Sequence, residues 1–341
     1  MRQVTNCTET TIKGTQPNYT GSSLFSVAPM MDWTDRHFRY FARLMTQHAL
    51  LYTEMVTTGA LLYGDAKRYL AYDQSEHPIA IQLGGSNPSD LAKCAKLAEE
   101  AGYDEVNLNV GCPSDRVQNN MIGACLMAHP QLVANCVKAM QDAVSIPVTV
   151  KHRIGINGRD SYAELADFVD VIAQAGCSQF TVHARIAVLE GLSPKENREA
   201  PPLRYDIAAQ LVNDFPDLSF VVNGGIKTFE QCNEHLKTFA GVMLGREAYH
   251  NSWMLAQVDE HIFGQPNNRL TRTQVLNALR PYIEKNQRAG TNIHHITRHI
   301  LGIAQGFPGS RRFRQLLSSD IFKAENPLKV YDQAVETLQG R

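Results

Sequence analysis

Short runs dominated by Val, Ile and Leu recur along the chain, separated by longer stretches whose apolar residues fall at helical spacing. The runs are residues 23–30 (SLFSVAPM), 50–56 (LLYTEMV), 79–85 (IAIQLGG), 105–111 (EVNLNVG), 146–153 (IPVTVKHR), 179–185 (QFTVHAR), 218–225 (LSFVVNGG) and 240–246 (AGVMLGR). Runs of this length bounded by Gly, Pro and Asn read as buried strands. Between them, residues 88–102 (PSDLAKCAKLAEEAG) put Leu91, Cys94, Ala95, Ala98 and Ala101 on one helical face. Ser89 is the expected N-cap of that helix and Gly102 its stop. Residues 161–176 repeat the design and again end in Gly. Eight strand–helix alternations within about 240 residues predict an α/β fold of the TIM (β/α)8 barrel type. A dinucleotide-binding doubly wound sheet would open on GxGxxG, and that motif is absent. After residue 265 the strand pattern stops and the periodicity becomes helical. The predicted organisation is a polar leader over 1–23, a barrel over 24–262, a Gly/Pro/Asn-rich linker over 263–268 and a small helical domain over 268–341.

Composition narrows the class. The 341 residues are 43% hydrophobic and 20% charged, as in an ordinary soluble domain. No run approaches the roughly 18 apolar residues of a membrane span, and the leader lacks the apolar core of a secretory signal, so a cytoplasmic protein is expected. Seven cysteines with no CxxC pair argue against a disulfide framework and against a cysteine-based metal site. Cys94, Cys136 and Cys177 fall in helix-like, Ala- and Val-rich stretches and are read as core. The net charge of −1 conceals an asymmetry. Residues 265–341 carry 12 Lys and Arg against 5 Asp and Glu, a net of +7, and the rest of the chain is net −8. A basic segment on an acidic body makes nucleic acid the first candidate partner, with a solvated helical face as the alternative.

In a (β/α)8 barrel the chemistry gathers at the C-terminal ends of the strands, and nearly every predicted strand here ends in a polar or Gly-rich tip. The tips are Pro29-Met30-Met31, Gln82 with Gly84-Gly85, Asn109 with Gly111-Cys112-Pro113, Lys151-His152-Arg153, His183 with Arg185, Asn223-Gly224-Gly225 and Gly245-Arg246. Glycines on the last two strands let backbone N–H groups approach a phosphate, with Arg246 for charge. Lys151 stands in an otherwise apolar run, so its ammonium needs a partner in the mouth. A flavin ring edge would supply one, and a Schiff-base lysine is the rival reading. His183 could donate to the same ring or phosphate, or be a satisfied core histidine. From its own surroundings Cys112 could be core filler, a metal ligand, half of a disulfide or a reactive thiol.

The segments SVAPMMDWTDRHFR, LNVGCPSDRV, VKHRIG, TVHAR, GLSPKENREAPPLRYD, VVNGG and MLGREAY together resemble the tRNA-dihydrouridine synthases. SPKENREAPPLRYD resembles the synthase A subfamily in particular. The resemblance runs from about residue 24 to 320. It implies a flavoprotein that reduces the C5=C6 bond of a uridine in the D-loop of tRNA, at positions 20 and 20a, with NADPH reducing the FMN. By position it implies that Pro29, Met30 and Met31 line the isoalloxazine and that Gln82, Lys151 and His183 meet its polar edge. Asn223, Gly224, Gly225, Gly245 and Arg246 would hold the phosphate. Cys112 would be the proton donor and Asn109 a uracil contact. A thiol suits that role, because its ordinary pKa of about 8.5 leaves it protonated yet acidic at neutral pH. Extruding a stacked base requires contacts to the tRNA backbone, for which Lys195 and Arg198 after strand six and Arg311 and Arg314 in the basic segment are the candidates. No metal is expected, and a monomer would leave the mouth free for tRNA. Two rivals remain at this point: a barrel flavoenzyme acting on a free pyrimidine, similar to dihydroorotate dehydrogenase, and a non-catalytic RNA-binding protein.

Overall fold

The computed structural model describes residues 21–114, 120–267 and 269–339. Cys7, most of the leader and residues 115–119, which include the DRV of SDRV, lie outside the described residues. Eight parallel strands close into a barrel in sequence order: β1 Phe25–Val27, β2 Leu50–Thr57, β3 Ile79–Gly84, β4 Glu105–Val110, β5 Val148–Arg153, β6 Gln179–His183, β7 Ser219–Asn223 and β8 Gly241–Leu244, with β8 pairing back onto β1. All eight predicted runs are strands, each ending within a few residues of its expected tip. Residues 21–24 form a short 3₁₀ turn before β1.

The surrounding helices follow local rules. The helix Pro88–Ala101 buries Leu91, Cys94, Ala95 and Ala98. Its N-cap is Asn87, which accepts from the Asp90 N–H, rather than the expected Ser89. Pro88 occupies the first turn, where a missing N–H costs nothing, and this moves the cap one residue upstream of it. Gly102 ends the helix with φ +94°, a left-handed conformation that glycine adopts freely. Ser161 and Glu164 form a capping box at the start of Tyr162–Gln174.

Strand side chains alternate between two environments. On β4, Val106, Leu108 and Val110 face the helices and join the main apolar core, leaving Glu105, Asn107 and Asn109 to the barrel interior. A separate interior cluster, Ala28, Leu50, Tyr52, Ala80, Val221 and Met243, fills part of that space. After the barrel come the helices Arg272–Arg288, Ser310–Ser318 and Pro327–Glu336, joined by short turns. Their buried residues, including Leu276, Leu279, Phe313, Leu317 and Tyr331, belong to the same apolar cluster as the barrel's outer layer.

The helical region is seated on loops at the C-terminal end of the barrel. Asp35, after β1, caps the helix Arg36–Arg43 through one carboxylate oxygen. Its other oxygen meets Arg298 Nη2 and His299 Nε2, each at 2.9 Å. Tyr249, after β8, bonds His299 Nδ1 at 3.1 Å and stacks on Trp33. Among the described residues no helix is long and apolar enough to cross a membrane.

Candidate active site

The turn after β4 is held from three sides. Asn109 Oδ1 accepts the backbone N–H groups of Gly111 (3.1 Å) and Cys112 (3.0 Å). Arg153 Nε, from the end of β5, donates to the Gly111 carbonyl at 3.2 Å. The Cys112 carbonyl accepts the Ala124 N–H at 2.9 Å. Gly123 lies against that carbonyl with φ +85°, and a Cβ there would overlap it. Cys112 itself is half-buried and free. The other described cysteines are free as well. Cys94, Cys136, Cys177 and Cys232 are buried, and burial pushes their thiols up to about 12. Core filling thus describes Cys94, Cys136 and Cys177, as expected, and not Cys112.

Lys151 pairs in register with Asn109, and its ammonium meets Asn223 Oδ1 at 3.1 Å. Burial, with the neighbouring Arg153, pushes it down to about 7. Among the described residues no carboxylate lies within ion-pair distance of it. His183, on β6, is likewise pushed well below its ordinary value by burial and by Arg153, Lys151, Arg185 and Arg198, so it is a neutral imidazole at pH 7. Asn223 is buried and directs Nδ2 to the Met243 carbonyl at 2.7 Å, which turns its oxygen to Lys151. Gln82 is buried below Asn109, and Asn109 Nδ2 donates to Gln82 Oε1 at 2.7 Å.

The glycine tips are close approaches. Gly224 has φ +115°, and a Cβ there would stand 2.7 Å from His183 Cδ2. Gly225 has φ +74°. Gly245 faces Met30 Sδ, with 3.5 Å to the position of a Cβ, so the tips of β1 and β8 are neighbours. Thr34 closes the β1 tip by accepting the Met30 N–H at 2.9 Å while its own N–H returns to the Met30 carbonyl. Pro29 and Met30 are partly buried, and Met31 is 56% exposed.

The loop after β6 brings a further set of cations. Buried Asn197 ties the loop together through the Val188 N–H and the carbonyls of Val188 and Leu192, and its own carbonyl accepts Arg153 Nη1 at 2.9 Å. Arg246 pairs with Glu199 and donates to the Arg198 carbonyl. The Cys112 side chain is felt electrostatically by Lys151, Arg153 and Arg198 alike. Lys195 is exposed at the rim. Arg311 and Arg314 sit apart from these tips, on the helix packed against Pro327–Glu336. Arg314 donates to Gln305 Oε1 at 2.6 Å, and Arg311 is exposed.

The structure therefore draws Asn109, Cys112, Lys151, His183, Asn223 and Arg198 towards one end of the barrel and adds Arg153 and Asn197, which sequence reasoning did not single out. Arg153 had a signal: it shares the inward parity of Lys151 on β5. Asn197 had none, because its role is to fold a loop. Among the described residues no group of three or more His, Cys, Asp or Glu could hold a metal.

A mouth with one thiol, amide donors, a part-buried ammonium that no carboxylate neutralises and several arginines suits an anionic ligand and a proton transfer from the thiol. Comparison with known proteins places the chain in a family. The model of the dihydrouridine synthase family matches residues 26–339. Proteins named tRNA-dihydrouridine(20/20a) synthase are similar over nearly the whole chain. The one from Pseudomonas putida KT2440 is 72% identical over 320 residues, 94% of this chain and 95% of that one. The one from Escherichia coli K12 is 56% identical over 321 residues, 94% and 93% respectively.

Proposed function

The chain belongs to the dihydrouridine synthase family, and on that premise we propose that it reduces the C5=C6 bond of uridines 20 and 20a in the D-loop of tRNA, with Cys112 as the proton donor and FMN as the resident cofactor. The observation that carries this reading is the Cys112 turn: a half-buried thiol on a turn fixed by Asn109, Arg153 and Ala124, close to Lys151, Arg153 and Arg198.

The residues present fit a flavin mononucleotide. Lys151 brings a buried ammonium with no anionic partner among the described residues, as the electron-accepting edge of such a ring requires. Gly224 and Gly225 form a cradle in which a Cβ at either position would run into neighbouring side chains, while a Cβ at Gly245 would make only ordinary contact with Met30 and Ala28. Bound there, FMN would supply the hydride for uracil C6, with NADPH as its reductant. Pro29, Met30 and Met31 would line its ring, Gln82, Lys151 and His183 would face its polar edge, and Asn223, Gly224, Gly225, Gly245 and Arg246 would hold its phosphate. Arg246 must exchange Glu199 for that phosphate.

The chain's own groups complete the reaction. The Cys112 thiol gives its proton to C5 of the uracil, so that one hydride and one proton saturate the bond. Lys151, Arg153 and Arg198 carry the positive groups nearest the thiolate left behind. Asn109 Nδ2 sends one hydrogen to Gln82 and has a second to offer a uracil carbonyl. The extruded base is held by phosphate contacts from Lys195 and Arg198 at the rim and from Arg311 and Arg314 in the basic helical domain over 268–341.

Cys112→Ala tests the assignment. The variant is expected to retain FMN and to be reduced by NADPH at the native rate, while dihydrouridine formation falls by about 10² to 10⁴-fold, the usual weight of general acid catalysis. Native dihydrouridine formation by this variant would overturn the role of Cys112.

A further inference from the structure

We infer that Glu105, at the closed end of the barrel, is a positioning residue for Cys112, acting through a one-way chain of side-chain hydrogen bonds that fixes how Asn109 meets the Cys112 turn. The inference rests on the proposed role of Cys112.

The chain runs up the barrel interior along β3, β4 and β5. Thr149 Oγ1 donates to Glu105 Oε1 at 2.6 Å, and the Tyr52 hydroxyl donates to the same oxygen at 2.6 Å. Asn107 Nδ2 donates to Thr149 Oγ1 at 2.8 Å. Gln82 Nε2 donates to Asn107 Oδ1 at 2.8 Å, and Asn109 Nδ2 to Gln82 Oε1 at 2.7 Å. Strand register brings these groups together, since Gln82 pairs with Asn107 and Asn107 with Thr149. Glu105, Asn107, Thr149 and Gln82 are all buried. Glu105 and Asn109 are four residues apart on one strand, about 13 Å at the usual rise.

Both ends force the same direction. At the mouth, two backbone N–H groups face Asn109, so its oxygen must be there and its NH2 must turn to Gln82. Each amide then passes the constraint on, until the Thr149 hydroxyl accepts from Asn107 and must give its own hydrogen to an acceptor, which Glu105 supplies. An amide is nearly symmetric in shape and opposite in polarity at its two ends, so packing alone would not prevent the stack from flipping. With Glu105 absent, Thr149 is free to donate to Asn107, and a concerted flip turns the Asn109 NH2 towards the N–H groups of Gly111 and Cys112. That arrangement repels and opens the turn. A small displacement of a reacting group suffices to lower a rate strongly.

The test uses the flavin-loaded full chain with four substitutions. Thr149→Val and Glu105→Leu break the chain, whereas Thr149→Ser and Glu105→Gln keep an oxygen in place. Uridine reduction by the pre-reduced enzyme is expected to fall by about tenfold or more in the breaking pair and to recover in the conservative pair. The rate at which iodoacetamide alkylates Cys112, followed on its own peptide by mass spectrometry, should shift severalfold in the breaking pair only. This second readout needs neither flavin nor tRNA. Should Glu105→Leu fail to fold, the near-isosteric Thr149→Val carries the test. Equal alkylation rates in Thr149→Val and Thr149→Ser would overturn the inference, as would loss of flavin with unchanged alkylation, which would assign the chain to the cofactor. Native activity of Cys112→Ala would instead remove the proposed acid while leaving an alkylation difference standing.

Discussion

Lys151 concentrates the tension between stability and function at a single residue. Its ammonium is buried beside Arg153 and bonded to Asn223, and burial pushes it down to about 7 from an ordinary 10.5. Between those values the unfolded chain binds a proton that the folded chain does not. The cost to the cofactor-free protein is therefore complete below about pH 7 and disappears as pH rises towards 10.5. Lys151→Met removes it. The cofactor-free variant is expected to melt a few degrees above the native protein at pH 7 and to lose that advantage near pH 10, as thermal scans at the two pH values would show. It should also fail to retain FMN. A native Tm at pH 7 would mean that solvent at the part-open barrel mouth offsets the burial of the ammonium. The sequence showed this lysine clearly, because a charge in PVTVKHR has nowhere apolar to go. Asn109 was legible only in part. The resemblance implied only a uracil contact, whereas its oxygen fastens the Cys112 turn, and a side chain's backbone partners leave no trace in residue order.

At the scale of elements, the strand tips were legible and their mutual arrangement was not. Each run of β-branched and Leu residues became a strand because a parallel barrel buries both faces of its strands. Alternation on β4 is informative in an unexpected sense: Asn107 and Asn109 would face water in a half-exposed sheet, but here they face a polar barrel interior. The glycine tips after β7 and β8 looked equivalent in sequence and differ in structure. Gly224 holds φ +115° with His183 close by, while Gly245 has φ −107° and its nearest neighbour is Met30 Sδ. Gly224→Ala is accordingly expected to destabilise the fold by about 1–3 kcal/mol, through a disfavoured backbone conformation and a displaced imidazole. Gly245→Ala should leave stability within about 0.5 kcal/mol yet weaken FMN retention, since its methyl would stand in the phosphate cradle. Denaturant titrations paired with flavin content separate the two. Equal stability of both variants would show that the β7 tip relaxes more easily than its contacts suggest.

Over the whole molecule, charge is divided and the division is anchored. The helical region, in the net +7 part of the chain, docks through Arg298 and His299 onto Asp35 and Tyr249, which lie on loops beside the barrel mouth. Burial raises the Asp35 carboxyl, but its hydrogen bonds and neighbouring histidines, His299 first, outweigh it and hold the carboxyl well below the usual carboxylate range, so Asp35 stays a carboxylate at neutral pH. On the proposed reading, a tRNA would touch the barrel mouth and the basic helices at once. The three arginines of SRRFRQ, indistinguishable in sequence, are unequal in this setting. Arg312 is paired with Asp320 at 3.0 Å and Arg314 is bonded to Gln305, whereas Arg311 is exposed and has no carboxylate partner among the described residues. An arginine already paired brings less net charge to a phosphate, because its counter-charge remains in place. Arg311→Ala should therefore weaken tRNA binding and reduce the slope of log affinity against log salt by about one. Arg312→Ala should change both much less, with flavin content the same in the two. Binding isotherms at several salt concentrations measure the difference. If Arg312→Ala matches Arg311→Ala in slope, the ion pair with Asp320 opens on binding and the helix presents its arginines as a set.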